Sequence, residues 1–268
     1  MFIQCGHEVV FELRAPTPML LQLYIHPTRS QNLNQPEAIR IDPPMPIMDY
    51  YDSFGNRCGR ILAPAGRLCL SNDNVVFDNG EKDFVHTFAK QHTIGELPVD
   101  AMPFLLASRY CEVDRFSDIA FQLFGQTQPG WARVQAICDW VHSNVLFGYQ
   151  FARPTKTAWD VYTERTGVCR DFQHLAITFC RALNIPARYA TGYLGDIGIP
   201  ALPSPMDFSA WFEVYLDNVW YTMDARFNTP RVGRVLMGRG RDAVDCALTT
   251  SFGHAELKSF RVWANELK

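Results

Sequence analysis

The chain has 268 residues, 47% of them hydrophobic, enough for one large or two medium domains with a real core and too many for wholesale disorder. Its net charge of −3 and pI near 6.2 argue against a general nucleic-acid binder. Eight cysteines are spread singly with no CxxC pair, so neither a zinc site nor a disulfide framework is expected, and no metal or other cofactor is called for. Residues 1–8 lack the basic start and apolar core of a secretory signal, and no apolar run is long enough to span a membrane. A reducing cytoplasm is the default.

Residues 1–95 read as β structure. Val9, Phe11 and Leu13 alternate with Glu8, Glu12 and Arg14, then Leu21, Leu23 and Ile25 alternate with Gln22 and Tyr24. Tyr50–Arg57 carries a Gly-Asn hairpin signal, and 60–66 and 67–77 supply further strands. The spacing predicts a β-sandwich. His7, His26, His86 and His92 stand isolated and are read as structural or solvated. Gly95, Pro98 and Pro103 mark a junction, giving a first domain over 1–95 and a second over 96–268.

The period then becomes helical. Ser117–Phe124 predicts a short helix with Ser117 as N-cap. Trp131, Val134, Cys138, Val141 and Val145 make an apolar stripe, so 130–146 is an amphipathic helix with His142 beside the stripe. Thr157 starts a third helix ending at Arg165. Gly167, tolerant of a left-handed backbone, breaks it, and a new helix begins at Cys169 with Phe172, Ala176, Phe179 and Leu183 at helical spacing. Pro186 stops it. Cys169 therefore sits in a first turn, where free amides and the helix dipole favour a thiolate; the plainer reading is a small buried hydrophobe. His174, five residues on, lies about 140° round the axis and is read as structural.

Ala187–Leu194 predicts a strand, and the loop 192–200 together with 204–208 is expected to rim a cleft. Leu216-Asp217-Asn218-Val219 reads as a tight turn between strands 210–216 and 219–224. A residue just before the first strand and Asp224 at the end of the second would then lie side by side, as a base and its orienting carboxylate must. Arg226, Arg231, Arg234, Arg239 and Arg241 follow, read as ion pairs with Asp242 and Asp245 or, more sharply, as an anchor for an anionic substrate. Residues 248–262 should rejoin the fold as a strand, with His254 in a Gly-His turn.

The combination Gly-Val-Cys-Arg-Asp (167–171), Ala-Trp-Phe-Glu-Val-Tyr (210–215) and Trp-Tyr-Thr-Met-Asp (220–224) resembles the transglutaminase-like, papain-like thiol enzyme superfamily, in particular bacterial transglutaminase-like proteins regarded as cysteine proteases. The resemblance spans nearly the whole chain. It implies an α+β fold, a β-sandwich followed by a papain-like core of helices on an antiparallel sheet, and a Cys-His-Asp triad. The cysteine falls on Cys169 and the aspartate on Asp224, but the histidine position holds Ser209. A hydroxyl cannot hold a proton as imidazolium does near neutral pH. Trp159 and Trp211 are the oxyanion or cleft candidates that the resemblance implies.

Three functions remain open: an acyltransferase, amidase or peptidase acting on amide bonds through Cys169, impaired by Ser209; a pseudoenzyme or peptide-binding module that keeps the cleft; and a helix-stabilised thiolate acting without a dedicated base. The expected partner is a peptide, protein or small amide, with no nucleic acid and no membrane. The oligomeric state stays open.

Overall fold

A computed structural model describes residues 1–201 and 205–267. The chain forms β1 (Phe2–Leu13), β2 (Thr17–Leu21), β3 (Arg40–Asp42), β4 (Met48–Tyr51), β5 (Arg57–Ala63) and β6 (Gly66–Phe77). Helices follow: α1 (Ser117–Phe124), α2 (Trp131–Asn144), then the short strand β7 (Leu146–Phe147) and α3 (Ala158–Glu164). Next come β8 (Thr166–Gly167), α4 (Cys169–Ala182), β9 (Ala187–Leu194), β10 (Ser209–Leu216), β11 (Val219–Met223) and β12 (Arg234–Gly240). The chain ends in β13 (Thr249–Ser251) and β14 (Ala255–Leu267).

Two 4-stranded antiparallel sheets, ordered β14-β1-β6-β3 and β13-β2-β5-β4, make the sandwich. The alternation read in β1 is real: Val9, Phe11 and Leu13 join Met19, Leu21, Leu68 and Leu70 in the apolar layer between the sheets. The sandwich is completed by the end of the chain, since β13 pairs with β2 and β14 with β1. The unit expected over 96–268 thus sends its last two strands back into the amino-terminal sheets.

A third 4-stranded antiparallel sheet, β11-β10-β9-β12, carries α4 on one face. Alternation in β10 turns Ala210, Phe212, Val214 and Leu216 toward Phe172, Leu175, Ala176 and Phe179 of α4. Truncating Phe179 to Ala would cost about 3–5 kcal/mol by the usual scale for a buried aromatic. On the opposite face Trp211 packs with Ala190 and Leu236. A further apolar cluster, including Ile3, Val76, Tyr193, Phe208, Val235 and Val262, seals this sheet to the sandwich.

Local chemistry explains most element ends. Thr157 caps α3 by accepting the Asp160 amide, and Asp160 returns the bond to the Thr157 amide at 2.9 Å. Asp217 and Asn218 take φ of 48° and 64°, the two left-handed positions of the β10–β11 turn. Two expectations are corrected. Ser117 is the first helical residue of α1 rather than its cap, a position held by Phe116. The left-handed residue ending α3 is Arg165, at φ 57°, not Gly167. Gly167 is needed for another reason: a Cβ there would lie 2.7 Å from the Cβ of Asp171. Among the described residues, no helix is long and apolar enough to cross a membrane.

Candidate active site

Cys169 opens α4, and three contacts fix that helix start. Asp171, fully buried, accepts the Val168 amide at 3.0 Å. Arg170 grips the other Asp171 oxygen at 2.9 and 3.0 Å and reaches the Arg153 carbonyl at 2.8 Å. The Gly-Val-Cys-Arg-Asp run is therefore a self-braced turn that presents residue 169 to the sheet. The Cys169 Sγ points at the Phe208 carbonyl, 4.0 Å away, just before β10.

Cys169 keeps some exposed surface as a residue, but its sulfur is surrounded by protein, and that burial pushes the thiol up to about 11. The positive charge of Arg226 opposes that rise, the negative charge of Asp207 adds to it, and the Ala210 and Arg170 amides lower it slightly. The pull of a helix start toward the thiolate is thus opposed by burial: the cost of desolvating an anion exceeds what two amides and one guanidinium return.

Beside the thiol lies a cleft of about 370 Å³. Tyr149, Ile197, Asp207, Ser209, Arg226 and Glu266 are among its lining residues. Cys169 is not among the lining residues; its link to the cleft is the contact of Sγ with the carbonyl of Phe208, which does line it. Residues 205–208 border the cleft as expected, as do Leu194, Asp196, Ile197 and Gly198 of the loop; Ala201 adds to them, and Ser204 lies outside the described residues.

Asp224 is held by four donors. Its Oδ1 accepts Gln173 Nε2 at 3.0 Å and the Arg226 and Phe227 amides at 3.0 and 3.1 Å. Its Oδ2 accepts Arg234 Nη2 at 3.0 Å. Gln173 also donates to the Ala210 carbonyl at 3.1 Å and accepts the Ala225 amide at 3.1 Å, so one buried amide ties α4 to β10 and to the turn after β11. Ser209 pairs with Gly192 of β9, and its carbonyl accepts Thr191 Oγ1 at 3.0 Å. Its hydroxyl makes no hydrogen bond among the described residues, to Asp224 or to any other group.

The structure thus brings Cys169, Ser209 and Asp224 to one end of the third sheet, but without a hydrogen-bonded chain between them. Trp159 and Trp211 are elsewhere. Trp159 packs edge-on against Phe116 with Arg115 3.8 Å over its ring. Trp211 faces away from α4, with Arg234 5.0 Å over its ring. Among the described residues, no histidine makes a hydrogen bond to the sulfur. His142 Nδ1 bonds the Arg226 carbonyl at 2.7 Å. His174 stacks on Tyr110 and accepts the Ala243 amide at 3.1 Å, a structural role as read. His254 lies before the first residue of β14, whereas Ala264–Glu266 at its far end border the cleft, roughly 30 Å away by strand rise.

The arginine run divides. Arg241 pairs with Asp245 as expected. Arg234 pairs instead with Asp83 and Asp224, Arg239 with Glu213, and Arg231 with the Gly195 carbonyl and Asp196. Arg226 differs: its guanidinium lies 3.7 Å over the Phe147 ring and bonds no carboxylate among the described residues.

Residues 117–225, which hold Cys169, Ser209 and Asp224, match the transglutaminase-like superfamily. A solved structure of a candidate cysteine protease from Cytophaga hutchinsonii aligns over 100% of this chain and 91% of its own, with 30% identity and a TM-score of 0.85. The chain belongs to the transglutaminase-like superfamily. The alignment spans both the sandwich and the helix-and-sheet core. The periplasmic domain of TgpA from Pseudomonas aeruginosa, solved with ethylmercury bound, aligns over 82% of this chain and 75% of its own, at 15% identity and a TM-score of 0.41. No curated protein sequence matches the chain. Gln173 was not singled out from sequence, although it lies one helical turn after Cys169. Asp207 was read there only as part of the cleft rim, and Arg226 and Arg234 only as members of the arginine run.

Proposed function

We propose that this protein is a thiol-dependent acyltransferase or hydrolase that opens amide bonds of peptides or proteins, with Cys169 as nucleophile. The observation that supports this reading is the placement of Cys169: first residue of a buried helix, sulfur turned to the start of β10, beside a cleft of about 370 Å³. The Ala210 and Arg170 amides near the sulfur are donors suited to a charge developing there. Asp224, locked by Gln173 and Arg234, acts as a brace for the sheet end rather than as the orienter of a ring.

The second reading, a peptide-binding module without turnover, is favoured by two specific observations. Burial pushes the resting thiol up to about 11, and Ser209 supplies no group that exchanges a proton near neutral pH. The two readings separate in one assay. Peptides bearing glutaminyl, asparaginyl and terminal amides are incubated with the protein and a primary amine, and products are followed by mass. The first reading expects hydrolysed or amine-exchanged peptide, lost in Cys169→Ala. Saturable peptide binding with no product would make the module reading the correct one.

A further inference from the structure

Asp207 and Arg226 face the cleft from two different segments, one just before β10 and one just after β11. Asp207 Oδ1 is fixed by the Phe208 amide at 2.7 Å. Its Oδ2 has no partner among the described residues. Arg226 is held by stacking on Phe147 and by backbone bonds to Asp224 and His142, so its charge is fixed in place without being neutralised by a carboxylate contact. Cys169 Sγ points at the carbonyl of Phe208, the residue that joins Asp207 to Ser209. The same carboxyl and the same guanidinium act on the sulfur in opposite senses.

We propose that Asp207 carries the proton and Arg226 the positive charge that a single imidazole would otherwise bring to Cys169. This rests on the reading of Cys169 as nucleophile. At rest the thiol keeps its proton and Asp207 is a carboxylate. As Sγ adds to the amide carbonyl carbon, the thiol proton passes to Asp207 and the carbonyl electron pair moves onto oxygen. On collapse the C=O bond re-forms and the C–N bond breaks. The leaving nitrogen takes its electron pair and the proton from Asp207. Water then adds to the thioester, giving a proton to Asp207; the C–S bond breaks, and sulfur leaves with the pair and recovers that proton. Arg226 stays charged throughout and offsets negative charge on sulfur.

The environment suits a carboxyl in this role. Burial raises Asp207 above the ordinary carboxylate range, the Phe208 amide and Arg226 opposing it, so the acid form is a better match to amine protonation than an exposed aspartate. The other charged or titratable groups around the sulfur are Arg170 and Asp171 on its own helix, Tyr149 after β7 and Tyr189 on β9. Both tyrosines are raised chiefly by burial and stay neutral in the working range.

The test uses the full chain and p-nitrophenyl acetate, with the acetyl group on Cys169 followed by mass after the reagent is removed. Its loss from wild type should follow an acidic ionisation displaced upward from ordinary aspartate. Asp207→Asn, which keeps an acceptor for the Phe208 amide, should slow that loss by about a hundredfold, the usual worth of a positioned base. Arg226→Gln should move the pH profile of Cys169 alkylation upward, whereas Asp207→Asn should move it downward. A merely structural role would not split the two variants in sign. Wild-type loss that tracks hydroxide alone between about pH 5 and 9 overturns the inference, as does an unchanged rate in Asp207→Asn. Absence of any acetyl on Cys169 in wild type overturns the nucleophile reading itself, and this inference with it.

Discussion

The carboxylate of Asp224 is bonded by Arg234, 3.0 Å from Oδ2, and not by the hydroxyl at position 209. Arg234 is almost fully buried and spans Asp83 and Asp224, so Asp224 works as one end of an ion-pair bridge across the third sheet. Removing one member of such a bridge leaves a buried charge short of a partner.

Asp224→Ala should therefore cost about 3 kcal/mol or more in unfolding free energy, the usual penalty for breaking a buried pair. Asp224→Asn, which keeps an acceptor for the Gln173 and backbone amides, should cost less. Ser209→Ala should change stability by no more than about 0.5 kcal/mol, since its hydroxyl makes no hydrogen bond among the described residues. Urea denaturation of the three variants checks the order. An Asp224→Ala variant as stable as wild type would contradict the bridge.

The thiol should behave as a protonated one. With Cys169 raised to about 11, its alkylation rate should climb about tenfold for each pH unit up to about pH 10, without levelling. The sign follows from the cause: burial penalises the thiolate, so the reactive form grows only as pH approaches the raised value. Iodoacetamide labelling with peptide mapping measures this. A plateau below about pH 8 would show a thiolate already formed and contradict the site described here.

Ser209→His should install an imidazole at the cleft edge one residue from the carbonyl that the sulfur faces. An imidazolium there would offset the desolvation cost and bring the alkylation profile of Cys169 down toward neutral pH. Amide-opening activity should rise by about two orders of magnitude, the usual contribution of a placed general base. Asp224 is already committed to Gln173, Arg234 and two amides, so the ring would be oriented only as far as that carboxylate can spare a contact. Unchanged alkylation and unchanged activity in Ser209→His would mean that residue 209 does not address the sulfur.

Much of the frame was legible in the sequence. The alternation around Val9 and Phe11, the Asp217-Asn218 turn and the period that starts at Cys169 each encode a local rule, and each formed as read. The site was less legible because its interactions are not local. Gln173 meets Asp224 across 51 positions, and Arg234 meets Asp83 across 151. The thiol's protonation follows from enclosure by distant segments, which a helix-start argument does not contain. Trp159 shows the converse: its position upstream of the cysteine suited an oxyanion role, yet Phe116 and Arg115 claim the ring.

The measurement that bears most directly on the central claim is the site of acylation by a peptide thioester, mapped over all eight cysteines. Cys69 is the natural comparison, since it and Cys169 are the two that are not fully buried. Acyl transfer to Cys169 should run ahead of that to Cys69, persist in a Cys69→Ser background and be lost in Cys169→Ala. Acylation of Cys69 alone, or of no cysteine in the folded protein, would contradict the claim.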